Sequence, residues 1–346
     1  MSNTNLSGYY GIAFQPYVGP WVDGTPVYFN TYTQEQVTQL LTPIAQQFKL
    51  IATYGQGTFV WQGTPNVQDS NRLNIQVAKN LGLKVAAGCF QQGANSETDT
   101  INVDWTKTEI DYAIGQATQY GNVVEIIVGN ECLWGPNSTQ AIIDLIAYAK
   151  TKRDAAGFTS STLPITTRQR WDVLGGVDNT SSGYATMQQA LLKLLNACEG
   201  LVYANMYAYF DSSIAGQIGP NPTQAVFNQA VTQRMDDMLK ALRTAFSNQH
   251  LATEIRIGET GWPTQGTQTN QPDASIASVQ NAQWHCEAIN TWAVNNTIKV
   301  ILFDAYDEPW KSVDNANSET HFGVWQAIGT ASSKTQYTLN SVQPKF

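Results

Sequence analysis

Two glutamates close short apolar runs of this chain, and each follows closely on a glycine: Gly129-Asn130-Glu131 and Gly258-Glu259. A charged side chain at the end of a strand-like run costs free energy unless something pairs with it or uses it. Two carboxyl groups held ~5–5.5 Å apart suit double displacement at a glycosidic bond, one as nucleophile and one as acid/base. The competing reading is structural, with each glutamate paired to a nearby arginine, since ion-pair networks also occupy such places. For one glutamate alone the two readings balance. The same glycine-led context at both positions favours chemistry.

Both glutamates belong to a regular rhythm. Eight short apolar runs alternate with helical patterns: YYGIAF (9–14), KLIATY (49–54), LKVAAGCF (83–90), VVEIIVG (123–129), LPITT (163–167), LVYANMY (201–207), EIRIG (254–258) and KVILFDA (299–305). Continuous rather than alternating apolar runs predict parallel strands buried on both faces. Between them, Thr33 to Phe48 opens with the Thr-x-x-Gln capping pattern. Thr139 to Ala156 stops at Gly157, and Met235, Met238, Leu239, Leu242 and Phe246 share one helical face. A further helix is expected over Ser275 to Asn295. The pattern predicts an α/β chain folded as a single (β/α)8 TIM barrel, with its active site at the C-terminal ends of the strands. A doubly wound sheet is the alternative, but the glycine-rich phosphate turn it often carries after strand one is absent. The expected organisation is a catalytic barrel over 8–330 and a C-terminal tail, 331–346, packed on it. The barrel rule selects Phe14, Tyr54, Glu131, Trp171, Tyr207, Glu259 and the stretch 304–311 as strand-end residues.

Composition narrows the partner. Charged residues make up 13% of the chain, against roughly 25% in an average soluble protein, and Asn, Gln, Ser and Thr fill the deficit. Such a surface suits an uncharged partner; the alternative is that it reflects nothing beyond an extracellular style. A net charge of −8 without a basic patch argues against nucleic acid. No apolar run approaches ~18 residues, so no membrane span is expected. His250, His285 and His321 lack metal-ligand spacing, and no metal or other cofactor is expected. Cys89, Cys132, Cys198 and Cys286 show no Cys-x-x-Cys pair and are expected to be buried thiols. The start of the chain carries no signal peptide. A monomer, secreted or at the cell surface or in the periplasm with any signal peptide absent from this chain, is expected.

IVGNE on strand four, IGETGWPT on strand seven and YDEPWK (306–311) after strand eight resemble glycoside hydrolase family 17. So do FQPY (14–17), NMYAYF (205–210) and HFGVW (321–325). The resemblance implies action on β-1,3-glucan, by a retaining hydrolase or by a glucanosyltransferase that passes the glucan to a sugar acceptor. A non-catalytic glucan-binding barrel is the remaining alternative, disfavoured because both glutamates are present. By the same resemblance Glu131 is the acid/base, Glu259 the nucleophile and Asn130 the partner of the sugar 2-hydroxyl. Glu308, Lys311 and Glu319 match polar positions near the site; for Lys311, a surface ion pair with Glu308 is the alternative. Tyr54, Tyr207 and Trp262 match aromatic positions of the cleft. Trp171 and Trp310, after strands five and eight, are expected stacking platforms. The chain departs from the family at Ala52, where relatives usually carry an arginine; Arg168 or Arg170 is expected to replace that charge.

Overall fold

A computed structural model of the chain describes residues 4–58, 69–93, 100–178, 185–267, 276–314 and 316–346. Eight parallel strands close into a barrel: β1 (Gly11–Ala13), β2 (Leu50–Ala52), β3 (Lys84–Cys89), β4 (Val123–Asn130), β5 (Ile165–Arg170), β6 (Leu201–Asn205), β7 (Glu254–Thr260) and β8 (Val300–Leu302). Each expected apolar run supplies one strand. Closure is direct, since β1 pairs with β2 through Ile12 and Ile51 and with β8 through Gly11 and Ile301. Every residue of β1, β2, β6 and β8 is buried, as expected for strands covered by barrel interior on one face and helices on the other.

The helices form where their end signals stand. Helix Gln34–Gln47 starts at Thr33, whose hydroxyl accepts from the Gln36 N–H while the Gln36 side chain accepts from the Thr33 N–H. Helix Pro136–Ala155 begins three residues before its expected start, because a proline at the first helical position has the right φ and no N–H to lose. Gly157 follows its end at φ +84°. Helix Gln224–Asn248 buries the expected Met235, Met238, Leu239, Leu242 and Phe246. Helix Val279–Asn296 is capped by Ser278; Ser275, its expected start, lies outside the described residues.

The C-terminal residues form an antiparallel hairpin, Trp325–Ser333 with Gln336–Pro344. The boundary expected at residue 330 falls inside the strand Trp325–Ser333, so the 331–346 tail expected to pack on the barrel is paired with residues before it in a hairpin. Tyr337 and Leu339 are buried in the core, and the Gln36 amide donates to the Tyr337 carbonyl at 2.8 Å. All four cysteines are buried and unbridged. No described helix is long and apolar enough to cross a membrane.

Candidate active site

At the C-terminal mouth of the barrel lies a cleft of about 970 Å³, reached by residues from the ends of all eight strands or the segments that follow them. Glu131 and Glu259 both line it. β4 delivers Glu131 through an irregular end. Its pairing with β5 shifts register between Ile127 and Asn130, and Gly129 (φ +74°) and Glu131 (φ +49°) adopt left-handed backbone. Such a bulge re-aims the side chains beyond it. A Cβ at Gly129 would meet Cys132 Sγ and Ile142 Cδ1, each at 2.9 Å. A left-handed glutamate is an uncommon, strained conformation of the kind that gathers at functional sites.

β7 delivers Glu259 differently. Glycine precedes it because a Cβ at Gly258 would lie 2.6 Å from Asn205 Oδ1 and 2.7 Å from Arg168 Cδ. The missing side chain makes room for Arg168, which crosses the barrel mouth from β5. Its guanidinium lies 3.9 Å from the centre of the Tyr54 ring and donates through Nε to Asn130 Oδ1 at 2.7 Å. The same Nε is 3.6 Å from Glu259 Oε1. The Tyr207 hydroxyl donates to Glu259 Oε2 at 2.8 Å. Of the two arginines expected to replace the charge missing at Ala52, Arg168 meets Glu259, and its Nη2 also reaches the Thr53 carbonyl at 3.4 Å. Arg170 instead pairs with Asp172 at 2.5 Å on the exposed rim.

Asn205, at the end of β6, went unassigned in the sequence although it opens the NMYAYF motif. Its amide donates to Glu131 Oε1 at 2.8 Å and to Asn130 Oδ1 at 3.3 Å. The Asn130 oxygen is thus occupied by two donors, which leaves its NH2 group for a ligand. Burial, and secondly the negative charge of Glu259, push the Glu131 carboxyl up to about 7, against weaker lowering by Asn205, Arg170 and Arg168. Glu131 is thus held toward its protonated form, while Glu259 has a cation beside it and a phenol donating to it.

The structure divides the expected binding residues. Tyr54, Tyr207, Trp171, Trp310, Lys311 and Asn130 line the cleft. Phe14 does not: it is fully buried, with its ring edge-on to Tyr306. Trp262 is also buried, packed on Tyr209 and Phe227 with its N–H donated to the Ile276 carbonyl. Being a strand-end aromatic does not decide which way the ring turns, and these two turn into the core. Phe210, Phe303 and Phe322 line the wall beside Tyr207 instead, in mutual ring contact. Glu308 is buried behind that wall, accepting from Gln15 at 3.0 Å and Trp310 at 3.3 Å and pairing with Lys311 at 2.7 Å. Lys311 thus lines the cleft while its partner Glu308 is buried behind it, so the two do not form a surface pair. Tyr17 and Phe29, stacked 4.0 Å apart and edge-on to Trp310, add an aromatic end that sequence reasoning missed. Among the described residues no group of three or more His, Cys, Asp and Glu side chains is placed to hold a metal.

A family model, the BtgE/BtgC glycoside hydrolase domain, matches residues 11–323, spanning every barrel strand. The chain belongs to the BtgE/BtgC glycoside hydrolase family. It is 30% identical over 218 residues to a glucan 1,3-beta-glucosidase of Candida albicans, covering 59% of this chain and 60% of that protein. The match thus spans under two thirds of that relative's length. An endo-laminarinase from Formosa Hel1_33_131 shares the fold with a TM-score of 0.69 at 18% identity, over 92% of this chain and 84% of that one. A glycoside hydrolase family 17 beta-1,3-glucanosyltransferase from Rhizomucor miehei aligns with a TM-score of 0.58 at 17% identity, over 92% of this chain and 93% of that one. The resemblance expected from the motifs is borne out at the level of the family.

Proposed function

We propose that the chain is a retaining glycoside hydrolase of β-1,3-glucan, with Glu131 as acid/base and Glu259 as nucleophile. The observation that carries this reading is the unequal pair of carboxyl groups in one cleft, Glu131 raised to about 7 and Glu259 beside Arg168 and Tyr207. Double displacement needs one group protonated and the other ionised before attack. Glu259 attacks the anomeric carbon while Glu131 protonates the departing glycosidic oxygen, forming a glycosyl ester. With the Glu259 charge consumed in that ester, the repulsion that helped raise Glu131 is gone. Glu131 then takes a proton from the acceptor as its oxygen attacks the anomeric carbon and the ester bond breaks. The Asn130 NH2 group, oriented by Arg168 and Asn205 on its oxygen, donates to the sugar 2-hydroxyl, a contact that strengthens at the transition state.

The linkage is supported by the relatives' names, a glucan 1,3-beta-glucosidase and an endo-laminarinase, and by the wall formed by Tyr207, Phe210, Phe303 and Phe322. A curved β-1,3 chain suits an enclosed aromatic wall better than the flat β-1,4 ribbon. Transfer to a second sugar is the other reading. That reading takes Trp171, which lines the cleft just past Arg170 at the end of the strand next to Glu131 and has the Arg234 guanidinium 5.5 Å from its ring centre, as the acceptor platform. The test is incubation with laminari-oligosaccharides, followed by proton NMR within minutes and by chromatography. The first product is expected as the β-anomer, with little turnover of cello-oligosaccharides. An α-anomer would end the mechanism, and equal rates on both series would end the substrate assignment. Products longer than the substrate mean transfer; shorter ones alone mean hydrolysis.

A further inference from the structure

Behind the β7–β8 side of the cleft is a second cavity, of about 430 Å³, lined by Lys345 together with Thr264, Asp307 and His321. The hairpin brings Lys345 there, and its N–H donates to the Val324 carbonyl at 3.0 Å. Only 10% of the Lys345 side chain is exposed. Its ammonium donates to Asp307 Oδ1 at 2.5 Å, Thr264 Oγ1 at 2.8 Å and the His321 carbonyl at 3.4 Å. These three oxygens lie on three segments: the loop after β7, the loop after β8 and the approach to the hairpin.

Each segment adjoins the cleft wall. Asp307 precedes Glu308, which binds Gln15, Trp310 and Lys311. His321 precedes Phe322, which lines the cleft. Further bonds close the knot: Thr264 N–H to the His321 carbonyl at 3.0 Å and Gly323 N–H to Asp307 Oδ1 at 3.0 Å. The His321 ring stands 3.8 Å from the other Asp307 oxygen. A buried ammonium with one carboxylate and two neutral acceptors is a directional clamp, and losing it strands the carboxylate among weaker partners.

We infer that Lys345 is a positioning residue for the substrate cleft, tying the loops after β7 and β8 so that Trp310, Lys311 and Phe322 stand where the sugar binds. The inference takes the glucan substrate from the proposed function. None of the three oxygens that Lys345 holds lies on the strand ends that carry Glu131 and Glu259. Its loss therefore weakens binding and leaves chemistry largely alone.

The experiment compares wild type, Lys345→Met and Lys345→Arg for kcat, KM and pH profile on laminarihexaose. Kd for the same sugar is read by tryptophan fluorescence in a Glu131→Gln background. Lys345→Met is expected to raise KM and Kd about tenfold, or ~1.4 kcal/mol. It should leave kcat within about twofold and the pH profile in place, and Lys345→Arg should recover most of the binding. A lower Tm with KM and Kd unchanged would mean a merely structural role and overturn the proposal, as would a fall in kcat with a displaced pH profile. If Lys345→Met does not fold, Thr264→Val removes one of the three acceptors and should raise KM roughly two- to threefold; an unchanged KM there also overturns it. A wild type that binds laminarihexaose without turning it over would sink the proposed function. The clamp would still stand or fall on the Kd of the variants.

Discussion

β4 and β7 end in the same short pattern, a glycine closely followed by glutamate, yet they build opposite environments. On β4 the chain bulges, Glu131 takes left-handed backbone, and its carboxyl accepts from the neutral Asn205 amide, with Glu259 the charge that acts on it most strongly and Arg170 and Arg168 acting more weakly. On β7, Gly258 serves side-chain packing: it admits Arg168, whose guanidinium stands beside Glu259 while Tyr207 donates from the other side. One glycine permits a backbone turn and the other a neighbour's side chain. Similar local sequence thus yields a carboxyl raised to about 7 at one strand end and a carboxyl flanked by a cation and a phenol donor at the other, because strand five, strand six and the residues just past it supply different partners to each.

Removing Glu259, the proposed nucleophile, should have the largest effect. Glu259→Ala is expected to lower kcat at least ~1000-fold, equivalent to about 4 kcal/mol of barrier. Added azide should restore part of it by entering the vacated space, giving a glycosyl azide detectable by mass spectrometry. Near-wild-type turnover in this variant would remove the covalent step.

Next comes the cation that separates the two environments. Arg168→Met should lower kcat by roughly ten- to a hundredfold and lower Tm, since breaking a buried pair strands its partner at a cost of about 3–5 kcal/mol. Arg170→Met, which removes only an exposed pair worth about 0–1 kcal/mol, should move Tm little. Comparable losses of kcat in both variants would show that Arg168 does not distinguish the two ends.

The pH response sharpens the same contrast. Glu131 is raised to about 7, so kcat/KM should fall as pH rises through that value and the donor proton is lost. The sign for stability is the same. A carboxyl raised above its unfolded value resists ionising in the fold, so its contribution declines from the ordinary glutamate range up to about pH 7. In Glu259→Gln, carbon-13 NMR of the Glu131 carboxyl should show its titration moved downward only in part, because burial is the larger cause. A complete return to the ordinary glutamate value would make the neighbouring charge the main cause.

The smallest effects should come from the aromatics. Trp171→Ala should raise KM for long oligosaccharides severalfold, on the scale of ~1 kcal/mol for an aromatic contact. Trp262→Phe should lower Tm and leave KM unchanged, because its ring faces Tyr209 and Phe227. Reversed outcomes would mean that the cleft wall is misassigned.

The sequence by itself determined the strands, a few of the helix ends and the placing of two glutamates at the barrel mouth. Those signals are local: continuous apolar runs, the Thr33 cap, and carboxylates closing strands at a mouth whose position the barrel rule supplies. Even the replacement arginine was narrowed to two residues. Tertiary structure alone decided between Arg168 and Arg170, because the answer depends on which side chain has room to cross the mouth, and that room comes from Gly258 on another strand. It alone turned Phe14 and Trp262 into the core and brought Phe303 and Phe322 to the cleft, since a ring's direction is set by packing among distant segments. It also found partners for Glu125, a carboxylate inside the apolar run of β4, in Tyr203 and Arg256 from β6 and β7. Local pattern reports which residues can do chemistry. The partners that set their protonation and orientation come from strands far away in sequence, and a single sequence carries no periodicity that links them.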